Sequence, residues 1–76
     1  MNAERRKQLK KLLDTVEEVK TTLETLKDEE QDYYDNMPES LQGGEKVDKV
    51  QMAIDVMESA GNSLEEVVSY IEEATE

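Results

Sequence analysis

Apolar residues recur with alternating three- and four-residue spacing in two long runs of this chain, separated by one short stretch that cannot continue a helix. In the first run they are Leu9, Leu12, Val16, Val19, Leu23 and Leu26, which fill two alternating positions of a seven-residue repeat. This spacing predicts a narrow seam along one helix, widened by Leu13 near its start and carried in register through Glu30 to Tyr33 and Met37. Glu30 is the one polar misfit. The second run repeats the phase with Val47, Val50, Ile54, Met57, Gly61, Leu64, Val68 and Ile71, flanked on one side by Ala53, Ala60, Val67 and Ala74.

Between the runs, Tyr33 to Gly44 holds the only proline, two of the three glycines and two of the three tyrosines. Pro38 lacks the N–H that a helix interior needs and drives Met37 out of the α region, while Gly43 and Gly44 open positive φ to the backbone. The expected organisation is a single all-α domain over residues 1–76: helix 1 at about 3–35, a connector at 36–44 and helix 2 at about 45–75. Gly61 and Asn62 are poor helix formers, and Ser63 with Glu66 has capping-box spacing. The heptad phase nevertheless crosses Gly61 without a slip, so one continuous second helix is expected.

Two helices of near-equal length on a short connector form an antiparallel, coiled-coil-like hairpin. Charge supports that pairing. Arg5, Arg6, Lys7, Lys10 and Lys11 crowd the first turns, whereas residues 50–76 contain acids and no base, and both arrangements oppose the helix macrodipole. Antiparallel folding sets the basic start beside Glu65, Glu66, Glu72, Glu73 and Glu76. Exposed pairs of this kind contribute about 0–1 kcal/mol each, so they select orientation more than they stabilise.

Seventy-six residues seldom build a core worth more than about 3–5 kcal/mol without a staple, and the chain has neither cysteine nor histidine to supply one. A lone hairpin would also leave Leu13, Ala53, Val56, Val67 and Tyr70 wet. Self-association into a homodimeric four-helix bundle is the simplest remedy, with burial against a different protein the competing one.

The same inventory removes thiolate, imidazole and zinc chemistry, and no enzyme or cofactor is expected. Glu30 is the only acid at a seam position and thus the only candidate for a desolvated carboxylate, although a register-fixing polar residue explains it as well. Asp28, Glu30, Asp32, Asn36 and Glu39 imitate the spacing of a calcium loop, but the position that needs glycine is Tyr33, and the repeat makes the stretch helical. A net charge of −11 disfavours direct contact with nucleic acid or an anionic membrane and favours a partner with a basic surface. No apolar run reaches the roughly 20 residues of a membrane span, and the charged start is not followed by a signal-peptide core, so a cytoplasmic protein is expected.

Three groups of residues are candidates for binding. Tyr33, Tyr34, Asn36, Met37, Leu41 and Gln42 form the connector end, where tyrosines offer rigid contact area with a polar tip, or alternatively plug the open end of the bundle. Asp55, Glu58, Glu65, Glu66, Glu72 and Glu73 form an acidic face without counter-charge on helix 2. Arg5, Arg6, Lys10 and Lys11 could hold phosphate, or simply complement the acidic end of helix 2.

The segment Asp28-Glu29-Glu30-Gln31-Asp32-Tyr33-Tyr34-Asp35-Asn36-Met37-Pro38-Glu39-Ser40-Leu41-Gln42-Gly43 resembles one found in a family of small acidic helical proteins of Gram-positive bacteria and their phages. The likeness extends over most of the chain, and departs from the acid- and alanine-rich second helix of that family at Gly61-Asn62-Ser63. The resemblance implies a bacterial or phage origin, hence the cytoplasm of a bacterial host, and carries no activity or ligand. Short acidic phage proteins often occupy a host protein, which makes binding and inhibition of a basic host protein, by DNA mimicry or in an anti-defence role, the leading expectation. An oligomer that sequesters an anionic nucleotide and a self-assembling structural subunit are the alternatives.

Overall fold

A computed structural model describes residues 1–41 and 43–76, with Leu41 described in its backbone alone. Helix α1 runs Ala3–Asp35 and helix α2 runs Glu45–Ala74, joined through a short 3-10 turn at Glu39–Leu41. The helices pack side by side as an all-α antiparallel hairpin about 60 Å long.

Each boundary has a local cause. Asn2 starts α1 by accepting, through Oδ1, the backbone N–H of Arg5 at 2.8 Å. Asn36 ends it: the Asn36 amide Nδ2 donates to the Asp32 carbonyl at 2.8 Å, and the Met37 N–H turns back to the Tyr34 carbonyl at 3.2 Å. Gly44 caps α2 with extended backbone at φ −97° and no side-chain bond. The conformational freedom expected of the glycine pair is unused, because no described residue has positive φ. Helix α2 passes through Gly61 unbroken, as the uninterrupted phase predicts.

The seam is where the hairpin departs from the sequence pattern. On α2 the expected residues face α1: Val47, Val50, Ile54 and Val68 are buried and Met57, Gly61, Leu64 and Ile71 half-buried. On α1 only half of the pattern does so. Leu9, Val16, Leu23, Glu30 and Met37 face α2, but the intervening seam positions are Leu13, Lys20, Lys27 and Tyr34, each one residue further along than expected. Leu12, Val19, Leu26 and Tyr33 are left about half exposed, at 49%, 51%, 50% and 46%. Leu13 and Ala53, expected to stay wet, are therefore half-buried within the hairpin, and Glu30 is joined by two lysines as a polar seam residue.

Two contacts show which sides of the helices lie together. Lys20 Nζ pairs with Glu65 across the hairpin, and Lys46 Nζ stands 5.5 Å from the Tyr33 ring centroid. Lys20 and Glu65 thus mark one broad side of the hairpin, and Tyr33 and Lys46 the other. Core packing is concentrated at the connector, where Met37, Val47, Val50 and Ile54 form a cluster with Tyr34 packed against it. Towards the open end the only buried residue among those described is Val68.

Candidate interaction surfaces

The side marked by Lys20 and Glu65 is polar. Lys20 also lies 4.0 Å from Glu17, and hydrogen bonding to Glu65, followed by the charges of Glu65, Glu17 and Glu24, raises the Lys20 ammonium above its ordinary value. Next to it, Lys20, Leu23, Lys27, Met57 and Gly61 border an open hollow of about 220 Å³. The hollow exists because α2 presents no side chain at Gly61: a Cβ there would meet nothing within 4 Å.

Asp55, Glu58, Glu65, Glu66, Glu72 and Glu73 are all exposed. By helical phase they occupy the polar side and the outer ridge of α2. Glu65 is engaged by Lys20; among the described residues the other five make no ion pair with a cation. The register set by Lys20 and Glu65 brings Glu72, Glu73 and Glu76 level with Leu13, Leu12 and Leu9, so that Arg5, Arg6 and Lys7 extend past the end of α2 and Glu65 and Glu66 lie about two turns further in than Glu72. No direct ion pair joins the cluster of Arg5, Arg6, Lys10 and Lys11 to those acids among the described residues.

Arg5, Lys10 and Lys11 are exposed and Arg6 is half-buried against the seam. They stand roughly 40 Å from Tyr33 at 1.5 Å per residue, so one hairpin does not bring a phosphate-binding cluster and a stacking ring together.

At the connector end the two tyrosines exchange the roles expected of them. Tyr34 packs on the core and Tyr33 lies outside it, because the seam at this level uses the later of the two positions. Met37 is buried and so is a core residue, and the Asn36 amide is committed to ending α1, although the residue is exposed. Leu41 and Gln42 lie outside the residues whose side chains are described. Of this group, Tyr33 alone presents substantial aromatic surface, with Lys46 reaching over it. Hydrogen bonding to Tyr33 raises the Lys46 ammonium above its ordinary value. The stretch from Asp28 to Asp35 is helical, which removes the calcium-loop geometry.

The other side, marked by Tyr33 and Lys46, combines α1 residues expected in the seam with α2 residues expected to stay wet. It carries Leu12, Val19, Leu26 and Tyr33 from α1 and Val56, Val67 and Tyr70 from α2, all exposed. Lys20 and Lys27, which directly follow Val19 and Leu26, were the available signal, since long lysines can lay their stems along a seam while keeping the ammonium wet. No family model, curated protein or solved structure matches the chain.

Proposed function

We propose that this protein is a small acidic interaction module that binds, and thereby inhibits, a host protein with a basic surface. The observation that supports this most is the segregation of charge. Five exposed carboxylates on α2, those of Asp55, Glu58, Glu66, Glu72 and Glu73, have no cationic partner among the described residues and share the ridge and polar side of one helix. A row of fixed carboxylates on a rod steers and orients a basic surface much as a phosphate backbone does, which is the physical content of DNA mimicry. The resemblance to short proteins of Gram-positive bacteria and their phages makes a bacterial host protein the natural target.

The test is capture from lysate of a Gram-positive host by tagged protein, with a salt gradient for elution. Parallel capture uses a variant carrying Asp55→Asn, Glu58→Gln, Glu66→Gln, Glu72→Gln and Glu73→Gln. A basic protein released at moderate salt and lost with the variant supports the reading. Equal capture by both proteins would sink it. The nucleotide alternative has a simple readout: with three tyrosines and no tryptophan, the protein absorbs weakly at 280 nm, so a co-purifying nucleotide would dominate at 260 nm.

A further inference from the structure

We infer that the apolar side of the hairpin is the docking surface for a second copy of this chain, so that the first helix divides its heptad pattern between two partners. Leu9, Val16 and Leu23 face the chain's own α2, while Leu12, Val19, Leu26 and Tyr33 face the other copy together with Val56 and Tyr70.

The distribution of acids identifies the occupant. The positions at the centre of this side are every seventh residue from 5 to 33 on α1, and every seventh from 46 to 74 and from 49 to 70 on α2, while Glu18, beside Val19 and Leu26, and Glu29 stand at its α1 edge. None of the central positions is Asp or Glu, in a chain with twenty acids. Two copies each carrying −11 repel overall, and this is a side on which they can meet without stacking carboxylates. A basic partner, by contrast, meets no acid at these central positions: their only charges are Arg5, Lys46 and Lys49, which are cationic and sit towards the two ends.

Size and shape fit as well. From Leu12 to Tyr33 is roughly 30 Å, and two helices each about 10 Å wide make a face on the order of 600 Å² in projection. That approaches the roughly 800 Å² per partner of a standard stable complex. Ala60 and Ser63 lie mid-way along α2 on this side, where small side chains let a facing helix come close. Pairing the same face on both copies closes the assembly as a four-helix bundle and turns both acidic ridges outward. This inference does not depend on the acidic ridge binding a host protein.

Sedimentation equilibrium of the full chain at about 100 µM should give twice the 8.7 kDa chain mass. The double variant Val19→Glu with Leu26→Glu should return to the single-chain mass while its circular dichroism stays helical. Because that variant could lose its fold, cysteine cross-linking supplies an independent reading in a chain that has no native cysteine. A flexible bis-maleimide should join copies through Val19→Cys, Leu26→Cys or Val56→Cys, and fail through Glu58→Cys on the polar side. A monomer, a series of masses above the dimer, or cross-linking through Glu58→Cys in preference to the apolar-face cysteines would each overturn the inference.

Discussion

Lys20 marks the alignment of the two helices at a single side chain. It occupies a seam position, its ammonium reaches Glu65 on the facing helix and Glu17 one turn back, and it is largely covered at 22% exposure. Hydrogen bonding to Glu65 raises its ammonium above the ordinary 10.5, and that direction fixes the sign of its effect on stability. A group whose folded-state value is raised contributes fully below its unfolded value, and the contribution fades as pH climbs through the folded value. Wild-type protein should therefore lose stability above about pH 10.5 more steeply than Lys20→Gln, read as urea midpoints from pH 8 to 12. Parallel curves would show that the pair does not couple to folding. At the start of α1, the Asn2 bond to the Arg5 N–H is a defined cap, and Asn2→Ala should cost about 1 kcal/mol at most, since the terminal turn frays. Urea unfolding of the two proteins at neutral pH measures it.

Each helix carries its own weak point, and for α2 it is Gly61. The residue is half-buried on the seam, its backbone is ordinary α-helix, and a Cβ would enter open space beside Lys20, Leu23 and Lys27. Gly61→Ala should accordingly stabilise the hairpin by about 1 kcal/mol, from lowered unfolded-state entropy and better helix propensity. A raised thermal midpoint with unchanged helicity is the expected readout; a lower midpoint would show that the hollow is needed. The elements themselves were legible in the sequence: Pro38 and the Gly43-Gly44 pair mark the connector between them, and the unslipped phase carries α2 across Gly61-Asn62-Ser63. The α2 seam was legible too, because Asp55, Glu58, Glu65 and Glu72 exclude the strip on its polar flank. For α1 the strip of Leu12, Val19, Leu26 and Tyr33 outweighs that of Leu13, Lys20, Lys27 and Tyr34 in hydrophobicity, so pattern reading chooses the former. Which strip turns to α2 is a long-range matter that spacing along α1 does not contain; the Lys20–Glu65 pair marks the outcome without deciding it, since an exposed pair is worth little. The same slip of one strip exchanged Tyr33 and Tyr34.

Over the whole molecule, the packing is strongly lopsided. Met37, Val47, Val50 and Ile54 are buried together at the connector, whereas the open end has Val68 and a row of half-buried contacts. Truncating Ile54 to alanine should remove about 2–5 kcal/mol, comparable to the roughly 3–5 kcal/mol that a core of this size supplies, and so leave the chain largely unfolded at room temperature. Val56→Ala, two residues away but on the outer apolar side, removes nothing from that cluster. In an isolated hairpin it should therefore be nearly silent. If two copies share the apolar side, the two variants part company in a second way: the loss from Val56→Ala grows with protein concentration, because association stabilises by mass action, while the loss from Ile54→Ala is present at every concentration. Amide hydrogen exchange adds position to this comparison. In dilute protein, the helical amides nearest the connector, residues 30–36 on α1 and 48–57 on α2, should be protected most and the open end, residues 3–16 with 64–74, least, since local opening follows the density of buried apolar contacts. Raising the concentration into the dimer range should slow exchange along Leu12 to Leu26 and along Val56 to Tyr70, and the Val19→Glu with Leu26→Glu variant should show no such slowing. Uniform protection along both helices in dilute solution would mean that the open end is held by something other than the contacts described, and would count against a hairpin closed chiefly at its connector.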